Sequence, residues 1–170
     1  CIFRDNAAGN SSSNNSSYGE GGAIYSGNAN PIFENCVFDS NYATSGGAIY
    51  LSGNPESVAY TPTYIRNSKF TDNSASDGGS NFASAQGGAL TIGSVRHIII
   101  SNSSFTNNSA TSLNSSARGG AIYIGSDWDP VNVDEVLIVN TRLSRNVAVS
   151  QSNGTANGGA IYIGGPTICC

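Results

Sequence analysis

Two short phrases alternate along this chain, and a chain built from such repeats cannot bury its apolar residues one repeat at a time. The first phrase reads Cys1-Ile2-Phe3-x-x-Asn6, Asn35-Cys36-x-Phe38-x-x-Asn41, Asn67-Ser68-x-Phe70-x-x-Asn73, Asn102-Ser103-x-Phe105-x-x-Asn108 and Asn140-Thr141-x-Leu143-x-x-Asn146. The second answers it as Gly21-Gly22-Ala23-Ile24-Tyr25, Gly46-Gly47-Ala48-Ile49-Tyr50, Gly87-Gly88-Ala89-Leu90, Gly119-Gly120-Ala121-Ile122-Tyr123 and Gly158-Gly159-Ala160-Ile161-Tyr162. The chain is scaffold before it is anything else.

In each first phrase the small residue and the large apolar one are two apart, so on a strand they share a face, and that face points inward. The residues between them, Ile2, Val37, Lys69, Ser104 and Arg142, range from apolar to charged, as an outward column should. In the second phrase the inward pairs are Ile49 with Leu51, Leu90 with Ile92, Ile122 with Ile124 and Ile161 with Ile163. Tyr25, Tyr50, Tyr123 and Tyr162 then point out, with Thr91 interrupting their column. A third apolar segment (Ile32-Phe33, Tyr64-Ile65, Ile99-Ile100, Ile138-Val139) precedes each first phrase. Three short strands per repeat describe an all-β parallel β-helix, a solenoid of about five coils starting near 1, 36, 68, 103 and 141, in a single domain over residues 1–170. Coils stack about 4.8 Å apart, so like residues align in columns. On this reading Asn35, Asn67, Asn102 and Asn140 form an amide ladder, and Phe3, Phe38, Phe70 and Phe105 stack inside. A helix fits neither the period of 2 nor the glycine pairs.

The paired phrases resemble the F-x-x-N and G-G-A-[I/L/V] repeats of the polymorphic outer membrane protein family, best known from chlamydial surface proteins. Leu143 replaces Phe in the last copy, and Leu90-Thr91 replaces Ile-Tyr in the third. The resemblance implies a right-handed β-helix, secreted or surface-displayed, used in adhesion. The family's C-terminal membrane barrel has no counterpart within these residues.

Charged residues are 11 % of the chain against roughly a quarter in an ordinary domain, and the net charge is −4. The seven basic residues are scattered, which argues against a nucleic-acid partner. The longest apolar run, Ile98-Ile99-Ile100, is far short of the roughly 18 residues of a membrane-spanning helix. Asn-x-Ser/Thr acceptors at Asn10, Asn14, Asn15, Asn107, Asn114 and Asn153 point to covalent N-glycans and a secreted or cell-surface location. Asn102 also heads such a triplet, but its place in the expected ladder should keep it unmodified. The adjacent Asn14 and Asn15 should carry one glycan between them. The polar stretches 7–20, 74–86, 109–118 and 147–157, against four residues between Asn41 and Gly46, read as loops inserted on one side of the solenoid.

The coil starts are separated by 35, 32, 35 and 38 residues, and Pro166-Thr167-Ile168-Cys169-Cys170 aligns on Pro31-Ile32-Phe33-Glu34-Asn35. The tail is thus in phase with the head, and no capping repeat closes either end. The expected partner is another copy joined head to tail, in a fibre rising about 24 Å per copy. The alternative is a fragment cut at repeat boundaries. Cys1, Cys36, Cys169 and Cys170 lie towards the two ends, where disulfides would lock such a junction. Alternatively an inward Cys is simply a small core residue.

The outward tyrosines would stack on sugars, on a neighbouring filament, or simply on one another, the last being favoured. Residues 125–135 hold the only Trp and four carboxylates, but lack the spacing of a calcium loop; a solvated acidic loop is the simpler reading. No metal or cofactor is expected. Asp39 and Asp72 occupy nearby columns without an obvious base, and His97 stands alone, so a polysaccharide-active enzyme is the weakest reading. A surface adhesin or passenger domain binding a glycan or host partner is the main alternative to a structural fibre.

Overall fold

The computed structural model of the chain describes residues 1–9, 18–53, 61–79, 83–125, 133–151 and 154–164. All regular structure among them is β, and every strand pair is parallel and joins one coil to the next, which makes a β-solenoid of about four turns. The fifth coil of the expected count is only partly among the described residues.

Five sheets run along the axis, not three. The first stacks Ile2–Arg4, Val37–Asp39, Lys69–Thr71, Ser104–Thr106 and Arg142–Ser144, with Phe3 against Phe38, Phe38 against Phe70, and Phe70 against Phe105. The second stacks Ile24–Gly27, Ile49–Ser52, Leu90–Ile92, Ile122–Ile124 and Ile161–Ile163. The third stacks Ile32–Glu34, Thr63–Arg66, His97–Ser101 and Glu135–Val139. These are the three strands per coil that the alternating phrases predict.

The other two sheets correct the reading of 74–86, 109–118 and 147–157 as loops throughout. One stacks Tyr42–Ala43, Ser74–Ser76, Ser109–Ser112 and Val147–Ser150; the other stacks Ala85–Gln86, Ala117–Arg118 and Ala156–Asn157. They face each other across Ala75, Ala85, Ala110 and Ala117, all 0 % exposed, with Ala148 packed alongside. Methyl groups alone fit between sheets this close, so each insertion leaves the main body as a thin flange and returns. The periodicity was hidden because these strands are two to four residues long and bury only alanine and one serine, Ser112.

The main core lies between the first three sheets. Phe38, Phe70, Phe105, Ile49, Leu90, Ile122, Ile65, Ile98 and Ile100 are fully buried, and Phe33, Cys36 and Val95 join them. The phenylalanine rings stack 4.8, 4.7 and 4.4 Å apart, nearly parallel, at the spacing of the coils themselves.

Candidate functional site

The chemistry of a solenoid lies in its columns. The second asparagine of each first phrase makes the amide ladder. Asn6 Nδ2 donates to Asn41 Oδ1 at 2.9 Å, Asn41 Nδ2 to Asn73 Oδ1 at 2.9 Å, Asn73 Nδ2 to Asn108 Oδ1 at 2.9 Å and Asn108 Nδ2 to Asn146 Oδ1 at 3.0 Å. Each of these Oδ1 atoms also accepts from the backbone N–H of the asparagine one coil earlier. The second amide hydrogen points back to a phenylalanine carbonyl, as from Asn73 Nδ2 to Phe38 O at 3.0 Å. Asn41, Asn73 and Asn108 are buried, and these bonds use their amides in full.

Asn35, Asn67, Asn102 and Asn140, where the ladder was expected, do stand one above another, but exposed and in the left-handed region at φ 53, 49, 50 and 47°. Here the backbone, not the side chain, selects asparagine, which enters that region more readily than other residues with a Cβ. A second left-handed column, Asp5, Ser40, Asp72, Asn107 and Arg145, closes the other end of each Phe strand. Asn102 is therefore not held by a ladder, and the reason for expecting it unmodified falls away.

The second glycine of each Gly-Gly-Ala phrase marks the closest approach between coils. A Cβ on Gly22, Gly47, Gly88 or Gly120 would collide with the carbonyl of Gly47, Gly88, Gly120 or Gly159 respectively. The first glycine of each phrase is left-handed, φ 58 to 65°.

Beside this corner runs the tyrosine row. Tyr25 stacks on Tyr50 at 5.6 Å and Tyr123 on Tyr162 at 5.5 Å. Not all of them face solvent as expected: Tyr25 is 55 % exposed, whereas Tyr123 is 2 % exposed, beside a buried Thr91. The Tyr123 ring lies against Tyr162 and its hydroxyl passes close to Gly125, which leaves it room. Glu20 stands one coil before Tyr50. Loss of part of its water pushes its carboxyl above the ordinary glutamate range, and a hydrogen bond with Tyr50 partly reverses that.

At the flange tip the loops are tied across coils. Asp77, 3 % exposed, accepts from Ser112 Oγ at 2.5 Å, Leu113 N at 3.1 Å and Gly79 N at 3.0 Å. Asn114 Nδ2 donates to Gly79 O at 2.6 Å, and Ser150 Oγ to Ser115 O at 2.9 Å. No short pattern in the sequence singles out Asp77 as a tie between coils, because Ser112, Leu113 and Asn114, which donate to it from the next coil, lie 35 to 37 residues away.

The model of the Chlamydia polymorphic membrane protein repeat matches residues 1–27, 35–52 and 102–125, each stretch holding both phrases. In those three stretches the chain is similar to the polymorphic membrane protein repeat. No curated protein and no solved structure matches it significantly. The coils outside the matched stretches are those in which Leu90-Thr91 and Leu143 depart from the repeat's usual residues.

The remaining candidates are dispersed around the stacked repeats. Cys1 is exposed and Cys36 buried, both free thiols, in register on neighbouring coils. Cys36 continues the inward column of Ser68, Ser103 and Thr141, whose hydroxyls bond the carbonyl two residues back, as its own Sγ does to Glu34 O at 3.3 Å. Cys169 and Cys170, the sequons at Asn10, Asn14, Asn15 and Asn153, and most of the acidic loop lie outside the described residues. Asn107 is exposed; Asn114 is exposed but bonded to Gly79. Asp39 pairs with Arg4 at 2.8 Å, and His97 lies 3.6 Å from Glu135 and 4.0 Å from Asp134. Among the described residues no helix is long and apolar enough to cross a membrane, and no group of three His, Cys, Asp or Glu is gathered for a metal.

Proposed function

We propose that this chain is an extracellular structural rod, N-glycosylated and displayed at a cell surface or secreted, whose copies join head to tail into a filament. One observation carries the reading. Each coil sets like residue on like, Phe3 against Phe38, Phe38 against Phe70 and Phe70 against Phe105, so the edge of any coil is shaped to receive another of the same kind. Strand edges of this kind are covered by more of the same structure. The repeat's occurrence in polymorphic membrane proteins supports the surface location.

Electron microscopy of the protein from its natural source tests the filament: a helical rise of about 24 Å, five coils at the coil spacing, is the expected result. Short rods with no periodic contact would refute it. Mass loss on enzymatic deglycosylation, mapped to Asn107, Asn114 and the sequons at Asn10, Asn14, Asn15 and Asn153, tests the glycans.

A second reading, an adhesin binding a glycan or host partner, is favoured by the flange. Among the described residues its tip is tied across coils by Asp77 and Asn114, a suitable surface for recognition. Saturable binding that Asp77→Ala abolishes would favour it. Catalysis has the least support, since Asp39 is committed to Arg4 and the other candidates are scattered.

A further inference from the structure

We infer that Asn102 is a glycan acceptor and that, together with Asn107, it makes the outer face of the phenylalanine sheet a sugar-covered side of the rod. The inference rests on the secreted, N-glycosylated reading and adds an acceptor and the face that the sugars shield.

Two left-handed columns bound the first sheet. Asn35, Asn67, Asn102 and Asn140 stand where each coil enters it, and Asp5, Ser40, Asp72, Asn107 and Arg145 where each coil leaves it. An N-glycan needs an asparagine with a hydroxyl residue two places further on. For the entry column that place is the outward residue of the strand, Val37, Lys69, Ser104 or Arg142, and only Ser104 carries a hydroxyl. In the exit column asparagine occurs once, at Asn107, with Ser109 two places on. Both acceptors therefore fall on one coil, at the two ends of the strand Ser104–Thr106.

The folded coil leaves both amides unspent. Asn102 and Asn107 are exposed, and their backbone N–H groups donate to Val139 O and Ser144 O, each at 3.1 Å. Neither side chain makes a hydrogen bond among the described residues. Asn108, the next residue, is the contrast: its Nδ2 is committed to Phe70 O and Asn146 Oδ1, inside the ladder. Asn114 is exposed, but its Nδ2 donates to Gly79 O at 2.6 Å, so a sugar there competes with that tie. In the transfer the sugar C1 bonds to Nδ2 and its bond to the pyrophosphate of a lipid-linked oligosaccharide donor breaks. The pyrophosphate leaves with the electron pair, and Nδ2 gives up one proton. At Asn102 that hydrogen has no partner to lose, so the modified chain closes the same coil. Lys69 and Arg142 stand in register with Ser104 on the neighbouring coils. Sugars at both ends of that strand therefore overhang Lys69, the only lysine of the chain.

The test uses the whole chain secreted from a glycosylating eukaryotic cell. Arg96 and Arg118 bound one tryptic peptide that holds Asn102, Asn107 and Asn114, so a single digest reads all three. Enzymatic removal of the sugar leaves aspartate at each occupied position, which fragment ions of that peptide locate. The expected result is aspartate at positions 102 and 107 in the wild type. One glycan is lost, with an unchanged melting curve, in Asn102→Gly, which keeps the left-handed corner, and in Ser104→Ala, which keeps the asparagine. Acylation of Lys69 by an amine reagent is slower before sugar removal than after it. Sugar at Asn107 with Asn102 unmodified would overturn the inference and leave the glycosylated reading standing. No sugar on any sequon of the secreted chain would overturn both. Equal labelling of Lys69 with and without sugar would overturn the shielding of this face.

Discussion

Asparagine occurs twice in each first phrase from Asn35 onward for two unrelated reasons, and substitution separates them. Asn73 is buried with its amide in four hydrogen bonds, so Asn73→Ala strands Asn41 N–H, Asn41 Nδ2 and Phe38 O. Each buried group left unpaired costs about 1–3 kcal/mol, and a total loss of about 3 kcal/mol or more is expected from denaturant unfolding. Asn67 is exposed in the left-handed region, so Asn67→Gly should change stability by less than about 0.5 kcal/mol in the same assay. Glu20 behaves differently again. Its folded-state pKa is raised, so the folded chain holds that proton more tightly than the unfolded one. The resulting penalty is complete above the folded pKa and disappears as pH falls below the ordinary glutamate range. Glu20→Gln should therefore melt higher than wild type at neutral pH and level with it in acid, a comparison made by thermal melts across pH.

Among the elements, the flange is the one whose tolerance is smallest. Its two sheets meet over Ala75, Ala85, Ala110 and Ala117, with no room for a longer side chain. Ala110→Leu should cost about 1–3 kcal/mol or force the flange sheets apart. Limited proteolysis would read the second outcome as new cleavage between residues 74 and 118, with the main core protected. The three core sheets were legible from the chain because each alternates a large apolar residue with an outward one. The flange strands were not, since alanine among serine and asparagine looks the same in a loop as in a narrow sheet. Asp77 escaped for a related reason: a single carboxylate carries no pattern, and its bonds to Ser112 and Leu113 exist only because coils of different length stack in register.

Across the whole molecule each coil contacts only its neighbours, so stability is a sum of coil and interface contributions and is lowest where one neighbour is missing. In the protein held monomeric, hydrogen exchange should be fastest in the end coil from Glu135 to Ile163. It should be slowest for amides such as Leu90 and Ile122, which donate to the coil beyond them inside the fully buried columns. Uniform exchange along the rod would contradict this coil-by-coil account.

The repeat spacing, the inward alternation and the paired glycines determined the solenoid, its columns and its stack of phenylalanines, because those features are periodic and local to each coil. Which asparagine forms the ladder, which tyrosine is buried, and why Gly22, Gly47, Gly88 and Gly120 are glycine were decided only by the folded stack. Each of those depends on a backbone dihedral or on an atom one coil away, some 35 residues distant in the chain, where no local pattern reaches.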